Sequence, residues 1–118
     1  MEIKIHILPS HQMRYDTWDD WQVDKDGNIT FQIADAGNDL YNKICLVHAI
    51  IEELLTSAKG VSEETITKFD LEYTGDDEPG EELAAPYRDE HLIAKAVEML
   101  LCAKLGIPWK EYNKELSV

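Results

Sequence analysis

The chain has 118 residues, enough for one domain with its own hydrophobic core and no need of disulfide or metal support. Hydrophobic and charged shares of 44% and 30% are ordinary, but 24 acids against 11 lysines and arginines leave a formal charge of −13. That balance excludes binding to nucleic acid through phosphate contacts and docking on an anionic membrane, both of which need clustered cations.

No stretch approaches the roughly 20 apolar residues of a membrane span. The start, MEIKIHILPS, lacks the basic region and long apolar run of a signal peptide, so a cytoplasmic protein is expected. Cys45 and Cys102 fall in predicted helices without a C-x-x-C pattern and are expected to be reduced, half-buried side chains.

In chain order, residues 1–8 alternate, with Ile3, Ile5 and Ile7 on one face and Glu2, Lys4 and His6 on the other. This predicts a half-buried strand ended by Pro9. A polar and aromatic stretch follows, containing Tyr15, Trp18 and Trp21. Residues 21–23 and 29–33 read as two strands around Asp24-Lys25-Asp26-Gly27-Asn28, since Asp-Gly between alternating apolar runs signals a hairpin. Read as an EF-hand calcium loop, the same stretch would need Gln22 as first ligand and Ile33 as closing acid, so it is a turn.

Asn38 or Asp39 is placed to cap a long helix over about 40–59. There Leu40, Ile44, Val47, Ile51, Leu54, Leu55 and Ala58 keep the helical rhythm expected of one buried face. Gly60 suits the left-handed stop, and Ser62 with Glu63 and Glu64 opens a shorter helix to about Tyr73. Residues 74–86, TGDDEPGEELAAP, predict an exposed, mobile loop. A further helix is predicted from Arg88 to Leu105, stopped by Gly106, and Pro108 opens a short terminal one. The expected fold is a single α+β domain over 1–118: a small antiparallel sheet, made of the N-terminal strand and the hairpin, on two main and two short helices.

Chemistry concentrates at His48 and Glu52, four residues apart and so stacked one turn apart on the long helix. A neutral imidazole and an anionic carboxylate in that arrangement suit a divalent cation. In the later helix His91, Lys95, Glu98 and Cys102 form a narrow polar stripe beside an apolar face of Leu92, Ala96, Met99, Leu100 and Ala103. Antiparallel packing of the two helices sets His91 opposite His48 as a third ligand. Asp70 is then placed as a fourth ligand or as a group that orients one.

The stretch His48-Ala49-Ile50-Ile51-Glu52 resembles the H-E-x-x-H helix of the zincin metallopeptidases. His48 matches the first ligand position and Glu52 the second, with carboxylate in place of imidazole. Ala49 stands where the general-base glutamate belongs, a departure that removes the usual proton acceptor of peptide hydrolysis. The segments around His48 and around Ala85 to His91 also resemble small phage- and prophage-encoded proteins, a likeness that implies no set activity.

The resemblance implies a zincin-like metal-binding protein that holds zinc or another divalent metal through His48, Glu52 and His91, with Asp70 in support. Three protein ligands leave a position open, and metal-assisted hydrolysis with Glu98 or Asp70 as base is the reaction class then expected. The alternative is a non-catalytic acidic interaction protein, with exposed Trp18 and Trp21, that engages a host or phage protein or mimics DNA. A third reading is an assembly factor that oligomerises through the aromatic stretch from Tyr15 to Trp21. No glycine-rich phosphate loop and no activated serine, cysteine or lysine nucleophile stands out.

Overall fold

The structure, a computed structural model, describes residues 1–116. Three strands, β1 (Ile3–Leu8), β2 (Asp19–Val23) and β3 (Ile29–Ala34), precede four helices, α1 (Asp39–Lys59), α2 (Glu63–Glu72), α3 (Arg88–Leu105) and α4 (Trp109–Leu116). The fold is α+β, and its helix ends are those the capping residues dictate. The Asn38 side chain accepts from the Tyr41 N–H, the Ser62 hydroxyl accepts from the Thr65 N–H, and Gly60 and Gly106 close α1 and α3 in the left-handed conformation. Among the described residues, no helix is long and apolar enough to cross a membrane.

The sheet is mixed, not wholly antiparallel. Its order is β1-β3-β2, with β2 antiparallel to β3 and β1 parallel to it. The chain reverses once between β1 and β2 and again at the hairpin, so β1 and β3 run the same way. The hairpin turn is held by the Asp24 carboxylate, which accepts from the Asp26 and Asn28 N–H groups at 2.8 and 2.9 Å.

The core forms where β2 and β3 meet α1 and α2. Trp21, Phe31, Ile33, Cys45, Ala49 and Ile66 are all buried there, and Trp18 packs half-buried against them. Both tryptophans therefore serve the core instead of an exposed surface. β1 lies outside this cover. Ile3, Ile5 and Ile7 are 51, 46 and 44% exposed, although they share the face of Ile29, Phe31 and Ile33 across the parallel register.

Both long helices depart from the expected orientation. On α1 the buried side chains are Asn42, Ile44, Cys45, His48, Ala49, Glu52 and Thr56; of the expected apolar face Ile44 is buried and Val47, Ile51 and Leu55 are half-buried, whereas Leu40, Leu54 and Ala58 are exposed. On α3 the buried set is Glu90, His91, Ala94, Glu98 and Cys102, while Ile93, Met99 and Leu100 are exposed. The polar stripe of α3 thus faces inward and its apolar stripe outward, while α1 buries His48 and Glu52 together with Ile44 and turns Leu40 and Leu54 outward. Lys59 with Glu90, Glu52 with His91 and His48 with Glu98 fix an antiparallel register between the two helices.

The 74–86 segment is also more than an exposed loop. Pro79–Glu81 forms a single 3-10 turn, Gly80 and Ala85 are buried, and so is Tyr87 directly after the segment. Cys45 and Cys102 are free thiols, 5 and 0% exposed, more deeply buried than expected.

If α1 presents its Ala49 side to β3, then Ala49→Leu inserts three carbons into a filled space and destabilises the fold by about 1–3 kcal/mol. Urea denaturation of the variant against the parent measures this, and an unchanged midpoint contradicts the orientation.

Candidate metal centre

His48 and Glu52 project from the middle of α1, where the backbone is rigid and one helical turn separates them. Their separation is 2.8 Å, from His48 Nε2 to Glu52 Oε2. Antiparallel packing brings His91 of α3 to the same carboxylate oxygen, with its Nδ1 at 3.0 Å. The two imidazole rings meet edge to face, their centroids 4.9 Å apart. One donor atom from each of the three residues lies within 4.8 Å of the others. Ligand atoms around a tetrahedral zinc stand about 3.4 Å apart, given bonds of about 2.1 Å. A cation can be enclosed here by small side-chain adjustments.

Glu98, seven residues after His91, occupies the same inward stripe. One of its oxygens meets His48 Nδ1, and the other accepts from the Tyr112 hydroxyl of α4 at 2.5 Å. A carboxylate on the far nitrogen of a ligand histidine fixes its ring and tautomer, leaving Nε2 for a cation.

His91 has a different support. Its Nε2 is buried without a hydrogen-bond partner, and the closest carboxylate, Glu78, stands 3.6 Å away. The second oxygen-rich group, Glu78 and Glu81, is bridged by Lys95 at 2.9 and 3.0 Å. Above the ring lies the Gly80 backbone, so close that a Cβ there would meet His91 Cγ at 2.5 Å. Only glycine fits that position while the ring stays in place.

Asp70 is in the neighbourhood but outside the three-residue group. Its carboxylate accepts from Tyr15 at 3.2 Å and from Tyr87, and it lines the same cavity of about 140 Å³ as His48, Glu52 and His91. Sequence spacing therefore found the three converging side chains, and Glu98 was legible as the polar residue two turns beyond His91. Asp19, Glu78, Gly80 and the two tyrosines carry no local signal. They reach the site from a strand end and from loops whose path is tertiary.

The electrostatics are those of carboxylates with too few cations. Burial alone would lower both imidazole pKa values. Hydrogen bonds to Glu52 and Glu98 raise His48 well above its ordinary value, and the bond to Glu52 with the negative charge of nearby Glu78 brings His91 to about 9. Burial raises Asp19 to about 7 and Asp70 to about 6. Glu52 goes the other way: burial opposes its charge, but the two imidazoles hold it at about 2. Protons on His48 and His91 thus take the place a divalent cation would fill. No protein-family model, curated protein or solved structure matches this chain.

These shifts set the pH dependence of the metal-free protein. His91 keeps a proton up to about 9 when folded and releases it near 6.5 when unfolded, so its contribution is complete below 6.5 and lost by 9. Asp19 and Asp70 act in the same direction from 3.8 up to about 7 and 6. Glu52 acts oppositely, losing its contribution as pH falls from 4.5 toward 2. With chelator present, the melting temperature is expected to fall steadily from pH 5 to pH 9. A flat or rising profile would refute the assignment.

Proposed function

We propose that this protein binds one divalent cation, zinc in the first instance, through His48 Nε2, Glu52 and His91 Nδ1, in a zincin-like arrangement. The observation that carries the reading is the inward turn of both polar stripes. Burying several carboxylates and imidazoles between two helices is costly unless a compensating charge is present, and an apolar seam would be cheaper to build. The donor set agrees: two imidazoles and one carboxylate suit zinc, whereas calcium and magnesium prefer all-oxygen shells.

Three protein ligands leave a fourth position toward the cavity, where a bound cation would act as a Lewis acid. Around it, Glu98 holds His48 in one tautomer and Tyr112 holds Glu98. Glu98 is committed to His48, itself a proposed ligand, whereas Asp70 is held only by the Tyr15 and Tyr87 hydroxyls and is the better candidate base. Its carboxyl is raised to about 6, close to working pH, and it faces the cavity between two tyrosine hydroxyls. With Ala49 in the zincin base position, a proton acceptor on α2 replaces one on α1. Metal-assisted hydrolysis is the reaction class we assign to this arrangement.

Titration calorimetry of untagged, chelator-stripped protein with zinc is expected to give one site per chain, with about two protons released per ion at neutral pH. Saturating zinc should raise the unfolding free energy by about 3 kcal/mol at a hundredfold excess over Kd. His48→Ala or His91→Ala removes a ligand and abolishes this gain. A protein that takes up no zinc, or that binds it equally well without His48, would end the metal reading.

Two supporting positions separate a built site from a chance cluster. Glu98→Gln keeps the shape but weakens orientation of His48, and is expected to lower zinc affinity about 10–100-fold. Gly80→Ala displaces the His91 ring and should lower affinity in the same direction. Equal affinities in both variants would show that the surroundings of the ligands do not matter.

A further inference from the structure

The apolar stripes displaced outward by the site form one surface. On α1, Val47, Ile50 and Leu54 follow one another at spacings of three and four residues, and on α3 Ile93, Val97 and Leu100 do the same. The antiparallel register sets Val47 level with Leu100, Ile50 level with Val97 and Leu54 level with Ile93. Helical geometry turns both runs to the side away from the sheet. Leu100, Leu54, Ile93 and Ile50 are 69, 58, 52 and 39% exposed.

We infer that this face is the interface of a symmetric homodimer, in which the α1–α3 pair of one copy packs on that of a second copy as a four-helix bundle. The spacing is that of helix seams packed knobs into holes. The exposed area of these six residues is roughly 450 Å², within the range of the largest patch on a monomer and over half of the 800 Å² each partner buries in a standard interface.

Charge identifies a second copy as the occupant. The copies each carry −13 and repel elsewhere, yet the six apolar positions are uninterrupted by any acid. At one end the runs continue into Lys43 and Lys104, which the register sets level with each other. At the other end the α3 run continues into Asp89, whose side chain is 81% exposed. A two-fold axis perpendicular to the helices places the lysine end of one copy against the aspartate end of its partner. The face is therefore complementary to itself in both apolar run and charge.

Analytical ultracentrifugation of the full chain tests this over 1–200 μM. A dimer is expected, and Leu54→Glu with Leu100→Glu should weaken it at least 100-fold, as loss of central contacts does. These side chains are exposed in the single copy, so circular dichroism should show an unchanged fold. Lys104→Glu and Asp89→Lys should each weaken association about threefold, and the two together should restore it. A chain that stays monomeric at 200 μM overturns the inference. So does a dimer that survives the double glutamate variant but is lost in Ile5→Glu, which would place the contact on β1.

Discussion

One carboxylate oxygen, Glu52 Oε2, is shared by His48 from its own helix and His91 from the neighbouring one. That contact decides how α1 and α3 sit. A helix has one face to bury against a given neighbour, so turning Glu52 toward His91 turns Leu54 and Ile50 away. The same rotation in α3 brings Glu98 to His48 and sends Leu100 into solvent. Hydrophobic burial, the main driving force of most folds, is carried by β2, β3 and the Cys45–Ala49 side of α1, and beside the polar seam by Ile44, Cys102 and Tyr112, which join α1, α3 and α4.

The rest of the site serves to hold this polar seam rigid. Tyr112 from α4 fixes Glu98, and Glu98 fixes His48, so the terminal helix is tied to the His48 ring through two hydrogen bonds. Gly80 packs on the face of His91 from the opposite side, and Tyr87 lies edge-on to the same ring at 6.2 Å. α2 takes part through Asp70, which the Tyr15 and Tyr87 hydroxyls bond to the strand-entry loop and to the start of α3. His48, Glu52, Asp70, His91 and Glu98 thus each have a partner from another element, the condition under which a buried charge is tolerated.

The arrangement links the proposed cation to the proposed dimer by geometry. The inward turn that assembles the ligands also produces an outward apolar face. Imidazoles and carboxylates lie on one side of the helix pair and exposed Ile and Leu side chains on the other. The proposed cation would replace the imidazole protons on the first side, and the proposed second copy would cover the other.

Periodicity, caps and turn residues determined where every helix and strand lies, because those depend on neighbours within a few positions. Asn38, Ser62, Gly60 and Gly106 mark the ends of elements through local hydrogen bonds and backbone freedom. The i, i+4 spacing of His48 and Glu52 was equally local and equally legible. Orientation was not, because hydrophobic periodicity names a stripe without saying whether a core or a partner covers it. The direction of β1 depended on the path of a loop, and the path of residues 74–86 decided that Gly80 would roof His91 instead of lying in solvent. Tertiary packing settled these questions, since burial of α1 and α3 was decided by ionic contacts between residues about 40–50 positions apart, beyond the reach of any local pattern.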